Sequence, residues 1–243
     1  MIEVKGLRKS FGRQQVLRGV DLRVPTGSIT IIIGRSGGGK SVLLKHLIGL
    51  LRPDAGQVLV DGVDATAMRG KGLDDLRQRY GVVFQGGALF DSMTCAGNVA
   101  FPLREKSKLP RAAVAERVRA ALAQVGLEGA GDKYPAEISG GMRKRVAIAR
   151  ALVTEPDIIF FDEPTTGLDP ILVNTIHGLI RELHARYRFT ALIVSHEIPE
   201  IFEIADTVAM LADGRIVESG SPAMIQESSN PVVRQFIRGE PEA

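Results

Sequence analysis

Residues 34–41 read Gly-Arg-Ser-Gly-Gly-Gly-Lys-Ser and match the phosphate-binding pattern G-x-x-x-x-G-K-[ST] at every fixed position. Glycines let a backbone wrap closely around a phosphate, and successive N–H groups at the positive end of the next helix then face the anion. Lys40 is predicted to reach the β- and γ-phosphates of a nucleotide, and the Ser41 hydroxyl to ligate Mg²⁺. The predicted nucleotide contacts in this segment are Gly34, Arg35, Ser36, Gly37, Gly38, Gly39, Lys40, Ser41 and Val42.

The segments on either side of this loop support the assignment. Residues 28–33 form a β-branched, apolar run that predicts a buried strand. Residues 42–49 have the apolar spacing of a helix and end at a glycine. A strand, a glycine-rich loop and a helix in this order distinguish a nucleotide site from an ordinary glycine-rich turn, so the chain is predicted to bind a nucleotide.

Two carboxylates provide a candidate second half of the site. Asp162 and Glu163 directly follow the apolar run 158–161, which predicts a buried strand. A carboxylate at the end of a strand can hold Mg²⁺, partly through water, and this is the role predicted for Asp162. Glu163 is placed to polarise an attacking water as a general base, although an acidic turn after a strand is also common.

Three further features are weak when each is taken by itself. Ser139, Gly140 and Gly141 precede a basic helix, where they could bind an anion or simply cap the helix. His196 follows the strand-like run 191–194, and Gln85 ends the run 80–84. Both are ordinary strand-end polar residues unless the other motifs are considered with them.

Composition limits the class of protein. The 243 residues are 44% hydrophobic and 24% charged, as in a globular protein with a substantial core. A net charge of +3 is too small to argue for nucleic acid as a partner. The sole cysteine, Cys95, excludes an internal disulfide framework and favours a reducing compartment. The first residues lack the layout of a secretory signal, and no run approaches the ~18 apolar residues of a membrane span. Work at a membrane is therefore expected to need a partner.

Strands alternating with helices favour an α/β fold with a mainly parallel sheet. Short apolar runs at 2–4, 16–17 and 20–24, which glycines separate, and a strand pair around Asp61-Gly62 predict a small antiparallel sheet. The alanine- and arginine-rich stretch after residue 86 predicts an inserted helical subdomain.

The remaining segments complete this organisation. Residues 170–187 predict a helix, and a hairpin is predicted around Asp213-Gly214. We expect a single domain over 1–220 and a polar C-terminal tail with one apolar patch. The expected boundaries are a core at 1–86 and 151–220, a helical subdomain at 87–150 and the tail at 221–243.

Taken in order along the chain, these motifs resemble the ATPase subunit of an ATP-binding cassette transporter. The resemblance covers about residues 2–222 and is specific because six separate pieces occur in one order. The matching pieces are residues 34–41, Gln85, Ser139-Gly140-Gly141, Asp162-Glu163, Gly167-Leu168-Asp169 and His196. The family implies a P-loop NTPase fold with a RecA-like, mainly parallel core, an antiparallel β subdomain and an inserted α-helical subdomain. It also implies ATP and Mg²⁺ as cofactors.

The resemblance assigns a role to each matching residue. It implies that Phe11 stacks on adenine, that Gln85 senses the γ-phosphate and Mg²⁺, and that His196 contacts the γ-phosphate and orients the water. Asp162 becomes the Mg²⁺ carboxylate and Glu163 the base. The expected catalytic residues are Glu163, His196, Lys40 and Gln85, and the expected metal ligands are Ser41, Gln85 and Asp162.

The family also implies a head-to-tail homodimer. In it, the turn formed by Ser139, Gly140 and Gly141 caps the γ-phosphate bound by the other copy, and Asp169 lies in a loop that crosses the interface. Arg35 replaces the usual proline of the phosphate loop, and Ile138 and Met142 replace the leucine and glutamine of the signature turn. None of these departures removes a ligand, but Met142 removes any hydrogen bond that a glutamine side chain would make between the copies.

Several stretches resemble a narrower group, the ATPases of bacterial MCE-associated (Mla-type) phospholipid transport systems. They are residues 84–92, 100–105, 142–144 and 194–200. This group implies location on the cytoplasmic face of the inner membrane, with a permease, a periplasmic MCE-type lipid-binding protein and a small cytoplasmic accessory protein as partners. The apolar side chains that suit a groove for a permease helix, or else pack the subdomain itself, are Leu89, Phe90, Met93 and Phe101.

Other functions remain to be separated from this one. An ATPase of an amino acid or ion importer would use the same chemistry. A non-transport cassette of DNA repair, chromosome structure or translation generally has two cassettes, coiled-coil insertions or cysteine-rich sites, which this sequence lacks. A regulatory module without hydrolysis would not need Glu163 as a base.

Overall fold

The computed structural model describes residues 1–240, which divide into two compact units. Residues 1–77 and those from 188 onward form the first unit, and residues 78–187 form the second. In chain order the elements are β1 (Ile2–Phe11), β2 (Gln14–Val24), β3 (Ile29–Ile33), α1 (Lys40–Leu47), β4 (Ala55–Val60), β5 (Val63–Asp64), α2 (Gly70–Gln78), β6 (Tyr80–Val83), α3 (Cys95–Lys106), α4 (Arg111–Gln124), α5 (Gly140–Leu152), β7 (Ile158–Asp162), α6 (Pro170–Tyr187), β8 (Thr190–Val194), β9 (Thr207–Ala212), β10 (Arg215–Gly220), α7 (Pro222–Gln226) and α8 (Pro231–Ile237).

The first unit contains the small antiparallel sheet that the sequence predicts, with strand order β2-β1-β4-β5. The predicted breaks inside its first two strands are wrong, because β1 and β2 each run through their glycines. Gly6 and Gly19 have φ of +55° and +103°, and the pairing of β1 with β2 shifts register near both of them. These glycines therefore form irregularities within continuous strands, as β-bulges do.

The parallel part of the first unit has β3 at its centre. β3 pairs in parallel with β8 on one side and with β9 on the other, and β9 turns back into antiparallel β10. Every residue of β3 and β8 is buried, which explains why both read as continuous apolar runs. The predicted hairpin of residues 207–217 is confirmed.

The second unit combines two parallel strands, β6 and β7, with four helices. α5 packs against α3 and α4 and buries most of its length. α4 lies in the stretch predicted to be helical and buries one apolar stripe, made by Val114, Val118, Ala121 and Leu122. The boundary of this unit lies at 78, so the subdomain limits of 87 and 150 stay a prediction.

The segment after β10 is more ordered than a simple polar tail. It forms α7 and α8, and α7 contacts β9, β10 and α8. Ile225 and Val233 are fully buried, whereas Val232 is largely exposed. Part of the predicted apolar patch therefore packs on the first unit itself. Residues 241–243 of the predicted tail lie outside the described residues.

Within residues 1–240, we find no helix with the length and apolar character needed to cross a membrane.

Candidate active site

The phosphate loop connects β3 to α1 in the first unit, as the sequence predicts. Ser36 and Gly37 are exposed at its tip, and Gly38 N donates to the Arg35 carbonyl at 3.1 Å. Gly39 is the N-cap of α1, which has no capping side chain and no acidic residue in its first turn. The positive end of α1 is therefore not offset by a carboxylate of the helix itself, which suits a phosphate ligand.

Lys40 lies within this loop and is only 4% exposed. Its Nζ donates to the carbonyl oxygens of Gly34 and Arg35 at 2.7 and 2.9 Å. A buried ammonium needs such partners, because it would otherwise pay a large desolvation cost. The carbonyls hold the charge inside the loop, where it can also meet a phosphate. Together with the helix end, this donor set fits the triphosphate of a nucleotide, and the adjacent Ser41 hydroxyl fits a bound Mg²⁺.

Phe11 ends β1 and leaves 48% of its surface exposed. The Lys9 ammonium lies 5.6 Å from the ring centroid and also pairs with Asp54 at 2.8 Å. Asp54 additionally accepts from Ser10 N at 2.6 Å, and these hydrogen bonds lower the pKa of its carboxyl, that of Lys9 most. The ring is thus oriented from one side by the cation, and its exposed surface can stack on a planar base.

The second unit places Glu163 directly after β7. Its backbone has φ of +48°, an uncommon conformation for a non-glycine residue, and such outliers are frequent at functional sites. Gln85 Nε2 and Thr166 Oγ1 both donate to Glu163 Oε2, at 2.8 and 3.1 Å. Two donors that converge on one oxygen fix the direction of the carboxylate. A carboxylate held in this way can present its other oxygen to a water, as a general base would.

The turn at Ser139 opens α5 as predicted. Ser139 Oγ accepts from Met142 N at 3.3 Å, so the side chain caps the helix. No acidic residue lies in the first turn of α5. Ser139 itself is exposed, and Gly140 and Gly141 follow it without side chains. An exposed helix end of this kind can receive an anion from outside the unit.

Comparison with known proteins agrees with this set of features. A family model described as ABC transporter matches residues 17–166, more than half of the chain. The chain belongs to the ABC transporter family. The probable ribonucleotide transport ATP-binding protein mkl of Mycobacterium leprae is 46% identical over 98% of this chain and 69% of its own length. The intermembrane phospholipid transport system ATP-binding protein MlaF of Escherichia coli is 42% identical over 98% of this chain and 89% of its own.

A solved structure agrees as well. The dimeric, post-hydrolysis structure of the ATP-binding cassette MJ0796, bound to ADP and Pi, matches with a TM-score of 0.83 at 30% identity. The match covers 91% of this chain and 99% of that one. The predicted P-loop NTPase fold is confirmed, and this chain is an ABC ATPase that binds ATP.

The two units of the ABC ATPase carry different parts of the predicted site. Phe11, the phosphate loop and His196 belong to the first unit, in which His196 lies exposed after β8. The second unit holds the carboxylates, the signature turn and the glutamine, and it brings Gln85 and Glu163 into direct contact. Asp169 accepts from Ile171 N and Leu172 N at 3.0 and 3.1 Å, so it caps α6.

Sequence reasoning missed Thr166 and Lys9 as parts of this site. Thr166 had a usable signal, because a hydroxyl three residues after a carboxylate in a turn can reach back to it. Lys9 had a weaker one. It lies two residues before Phe11 on the same strand, and residues so spaced share a face.

Gly34 offers a test of the loop's packing. A Cβ on Gly34 would lie 2.2 Å from the Leu211 carbonyl oxygen, whereas a Cβ on Gly37 would meet nothing within 4 Å. Both residues have positive φ, at +151° and +76°. We expect Gly34→Ala to lower the free energy of unfolding by about 3 kcal/mol through overpacking. Gly37→Ala should lower the free energy of unfolding by about 1 kcal/mol, because alanine strains the backbone at this positive φ. Urea unfolding of both variants measures the difference, and equal losses would contradict it.

Proposed function

We propose that this ABC ATPase hydrolyses ATP to drive phospholipid transport across or between bacterial envelope membranes. The observation that carries the proposal is the 42% identity to MlaF over 239 residues, which span nearly all of this chain and 89% of MlaF. The mycobacterial relative is more identical but is matched over only 69% of its length, and its name gives a ribonucleotide as the cargo. The greater coverage favours the phospholipid as cargo.

In this proposal the first unit binds the nucleotide. Lys40 directs its ammonium to the β- and γ-phosphates, and Ser41 supplies a hydroxyl ligand to Mg²⁺. When bound there, Mg²⁺ would supply positive charge beside the phosphates. Phe11 stacks on the adenine with Lys9 behind its ring, since the cation fixes the ring's orientation. His196 hydrogen-bonds the γ-phosphate region and orients the attacking water.

The second unit supplies the hydrolytic groups. Asp162 holds Mg²⁺, in part through water, and Gln85 senses the metal and the terminal phosphate. Glu163 takes a proton from the attacking water as the water oxygen bonds to the γ-phosphorus. The bond between the γ-phosphorus and the β–γ bridging oxygen breaks in the same reaction, so that ADP leaves and inorganic phosphate forms. The contact of Gln85 with Glu163 supports this assignment, because it links the residue that senses the nucleotide to the base.

A homodimer completes each site. The exposed Ser139 turn of one copy caps the γ-phosphate held by the other, and two positive helix ends then face one anion. Hydrolysis and phosphate loss weaken that attraction, so the dimer opens and the cycle alternates between two states. Ile171 supports an interface beside Asp169, because this apolar residue is 79% exposed.

The permease is proposed to dock on the apolar patch made by Leu89, Phe90, Met93 and Phe101. None of the four is fully buried, and Phe90 is 41% exposed. The Phe90 and Phe101 rings lie 4.8 Å apart, and buried Asn98 holds the Phe90 backbone through its side-chain amide. An exposed Phe90 ring that packs against half-buried Phe101 suits a partner helix. In this proposal the ABC ATPase lies at the cytoplasmic face of the inner membrane, with an MCE-type protein and an accessory protein in the complex.

Affinity purification from native membranes tests this proposal. We expect the tagged chain to recover a multi-span permease and to enrich phospholipid above a mock purification. Phe90→Asp should reduce recovery of the permease at least tenfold, because it places a charge in the apolar contact. Val63→Asp is the matched control, since Val63 is also exposed, at 53%, but lies on β5 in the first unit.

The molecules that co-purify with the complex distinguish phospholipid transport from transport of another cargo. Enrichment of ribonucleotides, amino acids or ions without phospholipid would overturn the lipid assignment but keep the ATPase. Recovery of no membrane protein would overturn the transport function. Equal recovery by Phe90→Asp and Val63→Asp would move the docking surface elsewhere.

A further inference from the structure

Lys144 is a buried cation in the middle of α5. The residue is only 7% exposed, and its Nζ donates to the main-chain carbonyl of Gln85. Burial of an ammonium is costly unless hydrogen bonds compensate, so a buried lysine at this position needs a specific partner. That partner is the backbone of the residue whose side chain contacts the candidate base.

The loop after Gln85 is held by the same helix. Arg150 donates from both terminal nitrogens, to the Gly87 and Ala88 carbonyls at 2.6 Å each, and burial lowers the pKa of its guanidinium. Gly87 N closes a turn onto the Phe84 carbonyl at 2.7 Å, and Ala88 has φ of +46°. Side chains of α5 thus hold this strained loop at three main-chain carbonyls, those of Gln85, Gly87 and Ala88.

Gln85 connects this anchor to Glu163. Its main-chain carbonyl accepts from Lys144, while its side-chain Nε2 donates to Glu163 Oε2 at 2.8 Å. Displacement of the Gln85 backbone would move the amide away from the carboxylate. The direction of Glu163 therefore depends, through Gln85, on a residue of α5.

We propose that Lys144 is a positioning residue for ATP hydrolysis, which holds the backbone of Gln85 so that its amide orients Glu163. This inference rests on the proposed role of Glu163 as the base. Small misplacements of a reacting group cost large factors in rate. Lys144→Met keeps the aliphatic stem and removes the donor, and we expect about a tenfold loss of kcat with the KM for ATP unchanged.

A double-mutant cycle separates positioning from a general structural effect. kcat is measured for the parent, Lys144→Met, Gln85→Ala and the double variant. Because Lys144 acts through Gln85, Lys144→Met should cost less than twofold in the Gln85→Ala background. Arg145→Met is the control, since Arg145 lies next along α5 but donates to the Val125 carbonyl. Its effect on kcat should be small and the same in both backgrounds.

Two results would overturn the proposal. One is a double variant whose loss of kcat equals the product of the losses in Lys144→Met and Gln85→Ala, and the other is turnover of Lys144→Met equal to that of the parent. If Lys144→Met does not fold, Lys144→Gln tests the contact by rescue, because its neutral amide can still donate to a carbonyl. It should retain more turnover than any variant without a donor, such as Lys144→Leu. If Glu163→Gln loses turnover but the kcat losses of Lys144→Met and Gln85→Ala multiply in the double variant, this inference alone is rejected. Retained turnover in Glu163→Gln would instead reject the proposed role of Glu163 as the base, on which this inference rests.

Discussion

Glu163→Gln is expected to lower ATP turnover about a thousandfold while ATP binding remains near that of the parent. The substitution removes the group that accepts the proton from water. It keeps an oxygen that can accept from Gln85 Nε2 and Thr166 Oγ1, so the local geometry should persist. None of the proposed phosphate or Mg²⁺ ligands is changed. Steady-state phosphate release and calorimetric titration of ATP measure the two quantities separately.

The chain contains a matched control for this substitution. Glu155 is also a glutamate with positive φ in the second unit, at +52°, and its side chain is 69% exposed. Within residues 1–240, its carboxylate makes only a long ion pair with Arg117, at 3.9 Å. Glu155→Gln should leave turnover within twofold of the parent, because it removes the same charge away from the candidate site.

The inactive variant should also change its oligomeric state. With ATP present, Glu163→Gln should elute as a dimer on size-exclusion chromatography, because bound triphosphate holds the closed state and hydrolysis no longer releases it. The parent should dimerise only transiently under the same conditions. Turnover of Glu163→Gln close to that of the parent would assign the base to another residue.

The sequence predicted helix ends well where one residue provides the local signal. α6 begins at Pro170 as predicted, and α5 begins at Gly140, directly after the Ser139 cap and within the turn that was predicted to precede the helix. Capping acts within a single turn, so neighbouring residues are sufficient to locate it. Pro102 lies inside α3, a helix whose bounds the sequence pattern did not give.

Strand continuity was harder to predict because it depends on a distant partner. Gly6 and Gly19 resembled strand ends, yet β1 pairs along its length with β2 and β4. That pairing supports a bulged glycine which local propensity alone would treat as a break. Residues far apart in sequence therefore decide where these strands end.

The candidate site also combines features that local sequence predicts with contacts between residues far apart in the chain. The motifs identified Gln85 and Glu163 individually, but nothing in their sequence neighbourhoods indicates that the amide donates to the carboxylate 78 residues away. The anchoring of Gln85 by Lys144 is also non-local, because it depends on how α5 packs beside the loop. A motif predicts which residue types form a site, whereas the hydrogen bonds that orient those residues depend on how the elements pack.

Lys40→Ala is expected to weaken ATP binding about a hundredfold, since it deletes a charge-assisted contact to the phosphates. Loss of turnover should follow at ATP concentrations that saturate the parent. Lys45→Ala is the matched control, because Lys45 is an exposed lysine on the same helix. It should bind ATP as the parent does.

The Lys40 substitution has a second effect that must be separated from the first. The carbonyls of Gly34 and Arg35 lose the ammonium that they bind, so the loop could loosen as well. Loss of a phosphate contact should weaken ATP far more than AMP, because Lys40 is assigned to the β- and γ-phosphates. Collapse of the loop should weaken both and lower the thermal midpoint. Calorimetry with both nucleotides therefore distinguishes them, and unchanged ATP affinity would show that the buried ammonium serves the fold of the loop alone.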